Sequence, residues 1–210
     1  VIFLMISLGD ARKKMSGDDT DNPLLGFFAF IEKLKSVDRE GWKISGLKKF
    51  EHVGDHSYSV ALLSYVFARI YKLDANKCMA MGLIHDIGEA LTGDIATRLD
   101  ERDQIMSSRA KNALEDSATR KVLRSMPTSG RAYLLELWDE YHNGVTQEAK
   151  LVRQVDKLDM ILTLKGYAHQ MSGDRINEFF GTAGRVIDGS FPEILDIYES
   201  IRRSVFRGKK

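Results

Sequence analysis

Three features of this sequence predict an all-α fold. Apolar residues recur at helical spacing through most of the chain. No long run alternates with period two between hairpin turns. Only three prolines occur, and none lies inside a predicted helix except Pro192, at a start. A length of 210 residues suits one sizeable core and is short for two. The expected organisation is an N-terminal tail over 1–22, either partly ordered or docked on the body, followed by one helical domain over 23–210.

The elements follow in order. Val1 to Leu8 is apolar, but a bilayer span needs ~20 such residues. The stretch also lacks the basic region and small-residue cleavage site of a secretory signal. Ser16 to Pro23 is polar and turn-rich and ends the tail. Leu24, Leu25, Phe27, Phe28, Phe30, Ile31 and Leu34 then repeat with helical spacing. Arg39 to Gly54 holds three glycines and little periodicity, so it reads as irregular. Asp55 to Lys72 reads as a helix with Asp55 as N-cap and an apolar face of Val60, Leu63, Val66, Phe67 and Ile70. Asp74 caps the next helix, expected to run through Leu83 and Ile87 toward Ala90. Leu91 to Thr97 reads as a loop. Further helices are expected over Met106–Ser125, Ser129–Tyr141, Thr146–Met171 and Pro192–Phe206, with a short one over Arg175–Phe180.

Hydrophobic residues make up 43% and charged residues 29%, the balance of a soluble globular protein. A net charge of +1 exerts no global pull toward nucleic acid or anionic membrane, so neither is expected as a partner. The one cysteine, Cys78, excludes an intrachain disulfide and fits a reducing compartment. The cytoplasm is the default location.

The chemistry concentrates in three segments. His85-Asp86 lies inside the apolar run Met81 to Ala90, where a histidine and a carboxylate are costly to bury unless something pairs with them. A divalent metal ion is such a partner, and His56 upstream and Asp156 downstream are possible further ligands. Imidazole with carboxylate suits Mn, Fe, Co, Ni or Zn, whereas magnesium prefers oxygen alone. Four ligands from three helices leave coordination positions open, as catalysis requires. Glu89, one helical turn beyond His85, is placed to take a proton from water at the ion. Asp94 lies in the following loop, among Thr92, Gly93 and Thr97, which offer hydroxyl and backbone donors. A lone buried histidine is more often hydrogen-bonded core than ligand, so the weight rests on the joint pattern. His52 precedes the helix, off the phase of His56, and reads as an outer or surface residue. His142 reads as a helix-end residue able to line a pocket mouth, and His169 as a surface or packing one. Asp159 shares the face of Asp156 and either supports the ligands or meets a basic neighbour.

Asp55-His56-Ser57, His85-Asp86 with Glu89, Thr92-Gly93-Asp94 and Asp156-Lys157, in that order, resemble the HD-domain metal-dependent phosphohydrolase superfamily. More narrowly, they resemble its 5′-deoxynucleotidase branch, over about Leu34 to Leu164. The resemblance implies an HD-type helical bundle and metal ligation by His56, His85, Asp86 and Asp156. It assigns Glu89 to orienting or deprotonating the attacking water and Asp94 to the sugar hydroxyl region. It also implies that Arg39 meets the phosphate with Trp42 nearby, although two residues separate them here and some members have them adjacent. Read from the residues alone, Arg39 is a solvated charge and Trp42 a packing residue. The implied activity is metal-dependent hydrolysis of deoxynucleoside 5′-monophosphates.

Two other readings compete. One is a phosphodiesterase or dNTP triphosphohydrolase on the same scaffold. Few extra basic residues are evident near the motifs, and Gly166-Tyr167-Ala168 stands where a cyclic-dinucleotide enzyme has Gly-Tyr-Pro. The other is a non-catalytic metal-containing binding module, against which the intact ligands and Glu89 argue. A homodimer is expected from the apolar content of the later helices (Leu134, Leu135, Leu137, Trp138, Ile194, Leu195, Ile197, Tyr198), unless these faces complete the monomer core.

Overall fold

The computed structural model describes residues 23–207, so the apolar stretch from Val1 to Leu8 and the rest of the tail lie outside the described residues. The chain is all-α. Its helices are α1 (Pro23–Leu34), α2 (Glu40–Lys43), α3 (Val53–Tyr71), α4 (Ala75–Ile84), α5 (Glu89–Thr92), α6 (Ser108–Arg124), α7 (Thr128–Asn143), α8 (Gln147–Tyr167), α9 (Gly173–Gly184) and α10 (Pro192–Arg207). Among the described residues the extended pairing is one isolated bridge, Asp38 with His52. No helix among them is long and apolar enough to cross a membrane.

Helix α8 is the axis of the fold. Its Leu151, Val152, Val155, Leu158, Ile161 and Leu164 are fully buried. It packs against α3, α4, α7, α9 and α10. A helix apolar on several faces has to be surrounded. Each such side chain contributes about 1.5–3 kcal/mol on leaving water. The polar residues α8 carries into this core, Asp156 and Asp159, therefore need partners there.

Helices α3 and α4 form a tight antiparallel pair. Lys72 adopts the left-handed conformation (φ 59°) to end α3. Leu73 N then donates to Ala68 O at 2.9 Å, and Asp74 caps α4 by accepting from Lys77 N at 2.9 Å. Gly82 makes the pair close, since a Cβ there would stand 2.7 Å from Ala61 Cα. Gly82→Ala is expected to force the helices apart and cost about 1–3 kcal/mol. Thermal unfolding checks this, and an unchanged midpoint would show that the contact yields freely.

Several boundaries differ from the sequence expectation, each for a local reason. Helix α3 starts at Val53, and Asp55 is not its N-cap. The backbone is already fixed upstream, where Val53 N donates to Val37 O at 3.0 Å. Asp55 instead reaches back and accepts from His52 N at 2.9 Å. The helix expected to reach Ala90 breaks at His85–Gly88. Glu89 N donates to Asp86 O at 3.0 Å and Leu91 N to Gly88 O at 2.9 Å, bonds that tighten the winding. Gly88 sits where a Cβ would meet Thr119 Oγ1 at 2.5 Å. The irregular stretch before α3 contains the short α2. Helix α7 is kinked at its start, where Gly130 has φ 84°. Helix α8 stops at Tyr167 and a 3₁₀ turn, Ala168–Gln170, follows. Helix α9 is twice the expected length, capped by Ser172 accepting from Arg175 N at 3.3 Å.

The later helices do not leave a free apolar face of the expected kind. Leu137, Trp138, Ile194 and Tyr198 are buried, and Leu134, Leu135, Leu195 and Ile197 pack against the same core. Exposed apolar stripes lie instead on α3, at Tyr58, Leu62, Val66 and Ile70, and on α1, at Leu24, Phe28 and Ile31.

Candidate metal centre and active site

The break after α4 brings His85 and Asp86 against His56 on α3 and Asp156 on α8. His85 Nδ1 faces the Gly82 carbonyl at 2.8 Å, and His56 Nδ1 faces Asp159 Oδ2 at 2.7 Å. Both partners are acceptors, so each Nδ1 donates its proton there, and each Nε2 would be left to present its lone pair to a bound metal ion. The two Nε2 atoms stand 3.3 Å apart. At that separation both nitrogens can face one shared cation, a place that a proton on His56 Nε2, directed at Asp156, otherwise takes. The carboxylates complete the donor set. Asp86 Oδ2 lies 3.2 Å from His85 Nε2 and 3.7 Å from His56 Nε2, and Asp156 Oδ1 lies 3.2 Å from His56 Nε2. The arrangement fits a divalent metal ion, with Asp159 and the Gly82 carbonyl orienting the imidazoles from behind.

The charges agree with this geometry. Burial opposes ionisation of Asp86, but His85, His56 and Arg39 hold it well below the usual carboxylate range. Burial likewise opposes charge on Asp156, which Lys157 and His56 outweigh. Burial and Arg39 disfavour protonated His56, yet Asp156 and Asp159 lift its pKa to about 9. Such a cluster holds a positive charge readily. Glu89 is the opposite case. Burial, then Asp86 and Asp94, push its carboxyl well above the ordinary value. The residue is 7% exposed, and its Oε2 has no hydrogen-bond partner.

A cavity of ≈ 430 Å³ opens beside the cluster, lined by His85, Asp86, Glu89 and Asp156 together with Arg39, Trp42, Asp94 and Thr97. Arg39 Nη1 lies 3.4 Å from Asp86 Oδ2, so Arg39 is no solvated charge. Asp94 Oδ2 accepts from Glu40 N at 2.7 Å, tying its loop to the start of α2 beside Arg39. Thr97 Oγ1 accepts from Lys111 Nζ at 2.9 Å. Trp42 is 1% exposed. Its ring stacks on Phe179 at 4.4 Å, and its Nε1 donates to Glu51 Oε1 at 3.0 Å. The structure thus gives Trp42 a packing position in the cavity wall. His142 lines the cavity, His52 is the N-cap of α3, and His169 is exposed.

Sequence reasoning missed part of the wall. Lys111, Glu115, Tyr141, Arg153, Lys157, Arg175 and Glu178 also line the cavity. The extra cations correct the expectation of few basic residues near the motifs. Their spread over three helices explains the miss, since no local spacing announces them. Lys157, next to Asp156, was the one with a visible signal.

A sequence model described as the HD domain matches residues 31–195. The chain belongs to the HD-domain family. Within that family it resembles the 5′-deoxynucleotidase branch. It is similar to the Mus musculus protein named 5′-deoxynucleotidase HDDC2, with 33% identity over 85% of this chain and 86% of that one. The Homo sapiens protein of the same name is 32% identical over 85% and 84%. Among solved structures, the PH0347 protein from Pyrococcus horikoshii OT3 has a TM-score of 0.66 and 28% identity, covering 84% of this chain and 97% of that one.

Proposed function

We propose that this chain is a metal-dependent phosphohydrolase that releases phosphate from 2′-deoxynucleoside 5′-monophosphates. The carrying observation is the pair of facing Nε2 atoms, 3.3 Å apart, set with two carboxylates beside a cavity of ≈ 430 Å³. That volume lies in the range of small-ligand sites. Similarity along most of the length to proteins named 5′-deoxynucleotidases supports the substrate class.

His56, His85, Asp86 and Asp156 would hold the ion, and their mixed nitrogen and oxygen donors favour Mn, Fe, Co, Ni or Zn. When bound, the ion lowers the pKa of water and offsets negative charge on the phosphate. Glu89 takes the proton of the attacking water. Its proton affinity, raised by burial and by Asp86 and Asp94, suits a group that accepts a proton and returns it. Arg39 presents a planar fork of donors to the phosphate oxygens. Asp94 meets the sugar hydroxyl with the oxygen left over from its bond to Glu40 N, and Thr97 lines the same side. Trp42 acts by packing on Phe179 and Tyr167 in the cavity wall.

We further infer a homodimer, supported by the exposed α3 stripe of Tyr58, Leu62, Val66 and Ile70. A cytoplasmic location is supported by the single, buried cysteine.

The test is purified protein supplied with Mn²⁺ or Co²⁺ and a panel of nucleoside mono- and triphosphates. Inorganic phosphate from deoxynucleoside monophosphates is expected, without pyrophosphate or triphosphate from the longer substrates. Failure to release phosphate from any monophosphate would sink the reading. Elemental analysis and light scattering on the same preparation give the ion and the dimer mass.

A further inference from the structure

The cations of the cavity wall are not equivalent. Arg98 Nε donates to Glu178 Oε1 at 2.6 Å, and Arg175 is paired with the same carboxylate. Arg153 donates to the carbonyls of Tyr141 at 3.1 Å and His142 at 2.6 Å. Lys111 Nζ donates to Ile95 O at 2.6 Å. These side chains stitch helix ends and loops together, and their donors are spent on structure.

Lys157 differs. Its ammonium lines the cavity, and its partner is Asp156 Oδ2 at 2.9 Å. Asp156 is the residue whose other oxygen faces His56 Nε2 at 3.2 Å. Arg39 stands in the same relation to Asp86, at 3.4 Å. Each cation thus pairs with one of the two carboxylates of the metal cluster. A divalent ion held by Asp86 and Asp156 takes up their two negative charges. The ammonium of Lys157 then loses its counter-charge while still facing the cavity, with two of its three N–H donors unused. A group that restores neutrality there is an anion that accepts hydrogen bonds. A phosphomonoester, with a charge of about −1.5 to −2 at neutral pH, is such a group.

We propose that Lys157 is a second phosphate-binding residue, which with Arg39 brackets the phosphoryl group of the substrate from two sides. This rests on reading the site as a phosphohydrolase centre. The simpler assignment is that Lys157 only orients Asp156 for the ion, and the two differ in what they do to phosphate and metal separately.

The experiment uses the full chain loaded with Mn²⁺, titrated calorimetrically with inorganic phosphate, for wild type, Lys157→Gln and Lys157→Arg. Manganese content is measured in each. Loss of a charge-assisted hydrogen bond is expected to weaken phosphate binding about tenfold or more in Lys157→Gln. Manganese content stays at the wild-type level, KM for the nucleotide rises with the phosphate constant, and Lys157→Arg restores part of the affinity. Unchanged phosphate affinity in Lys157→Gln overturns the proposal, as does wild type that binds no phosphate. Loss of manganese from Lys157→Gln also overturns it and leaves Lys157 with Asp156 alone. Wild type that binds phosphate through Lys157 but hydrolyses no nucleotide defeats the proposed function and leaves this inference standing.

Discussion

Asp86→Ala is expected to abolish both metal loading and turnover. Asp86 Oδ2 is the point where the site converges, 3.2 Å from His85 Nε2, 3.7 Å from His56 Nε2 and 3.4 Å from Arg39 Nη1. Its removal deletes one of four donors and leaves Arg39 buried beside a missing counter-charge. Loss of an orienting partner alone typically costs about 10–100-fold in metal affinity or activity, so loss of a ligand is set here at about 10³-fold or more in kcat/KM. Elemental analysis reads the first effect and phosphate release the second. Metal binding to the folded state also stabilises it by mass action, so added Mn²⁺ should raise the Tm of wild type and leave that of Asp86→Ala unmoved. Asp86→Ala protein that retains its ion and its Mn²⁺-dependent Tm shift would remove Asp86 from the ligand set. Asp86→Asn, which keeps the shape and removes the charge, separates ligation from packing.

The residues brought together at this centre are separated by a hundred positions along the chain, yet their types could be read in advance. His85-Asp86 stands out because ionisable side chains are costly within an apolar run. His56 and Asp156 stand out only through the joint pattern. What the sequence could not show is how the imidazoles are aimed. Asp159 lies one turn from Asp156, and its neighbours along the chain do not reveal that His56 is its partner, at 2.7 Å. That contact arises from the packing of α3 on α8, which is long-range. The break at His85–Gly88 was hidden for a similar reason. Helical periodicity continues through it, and the close approach of Thr119 of α6, which leaves no room for a Cβ at Gly88, is a long-range contact. Trp42 carries the opposite lesson. A tryptophan near a charged segment is open to a binding or a packing reading, and Phe179 from α9 decides for packing. The helical fold was legible because it rests on local period. The caps and breaks were not, because the hydrogen bonds of His52, Val53 and Asp55 depend on a strand-like contact with Val37 and Asp38.

The ligand cluster and Glu89 show how one buried neighbourhood sorts its carboxyl groups. Asp86 and Asp156 face imidazoles and cations and stay ionised. Glu89 faces the two carboxylates Asp86 and Asp94 and resists ionisation. Environments that push like groups apart assign them different tasks. Under the proposed function, the ionised pair would hold the cation and the group with high proton affinity would exchange the proton.

Glu89→Gln is the sharpest test of that division. The substitution keeps the shape of the side chain and removes the carboxylate that accepts the proton, without touching any of the four proposed metal ligands. Metal content should therefore match wild type, while kcat falls by about 10²–10⁴-fold, the usual worth of general acid–base catalysis. KM should move far less than kcat, since the side chain acts on the water and not on the bound nucleotide. Stability gives an independent reading. A carboxyl whose folded pKa is raised binds more protons folded than unfolded. Its contribution is complete below the unfolded value, about 4.3 for glutamate, and is lost as pH climbs toward the folded value. Metal-free wild type should therefore lose Tm relative to metal-free Glu89→Gln as pH rises from that point, a difference in which groups that do not interact with Glu89 cancel. Full kcat in Glu89→Gln would end its role as the base. A parallel pH dependence of Tm in the two proteins would show that its neighbours do not repel its charge. Reduced kcat with retained metal and diverging Tm curves is the combination that only a buried, proton-accepting Glu89 produces.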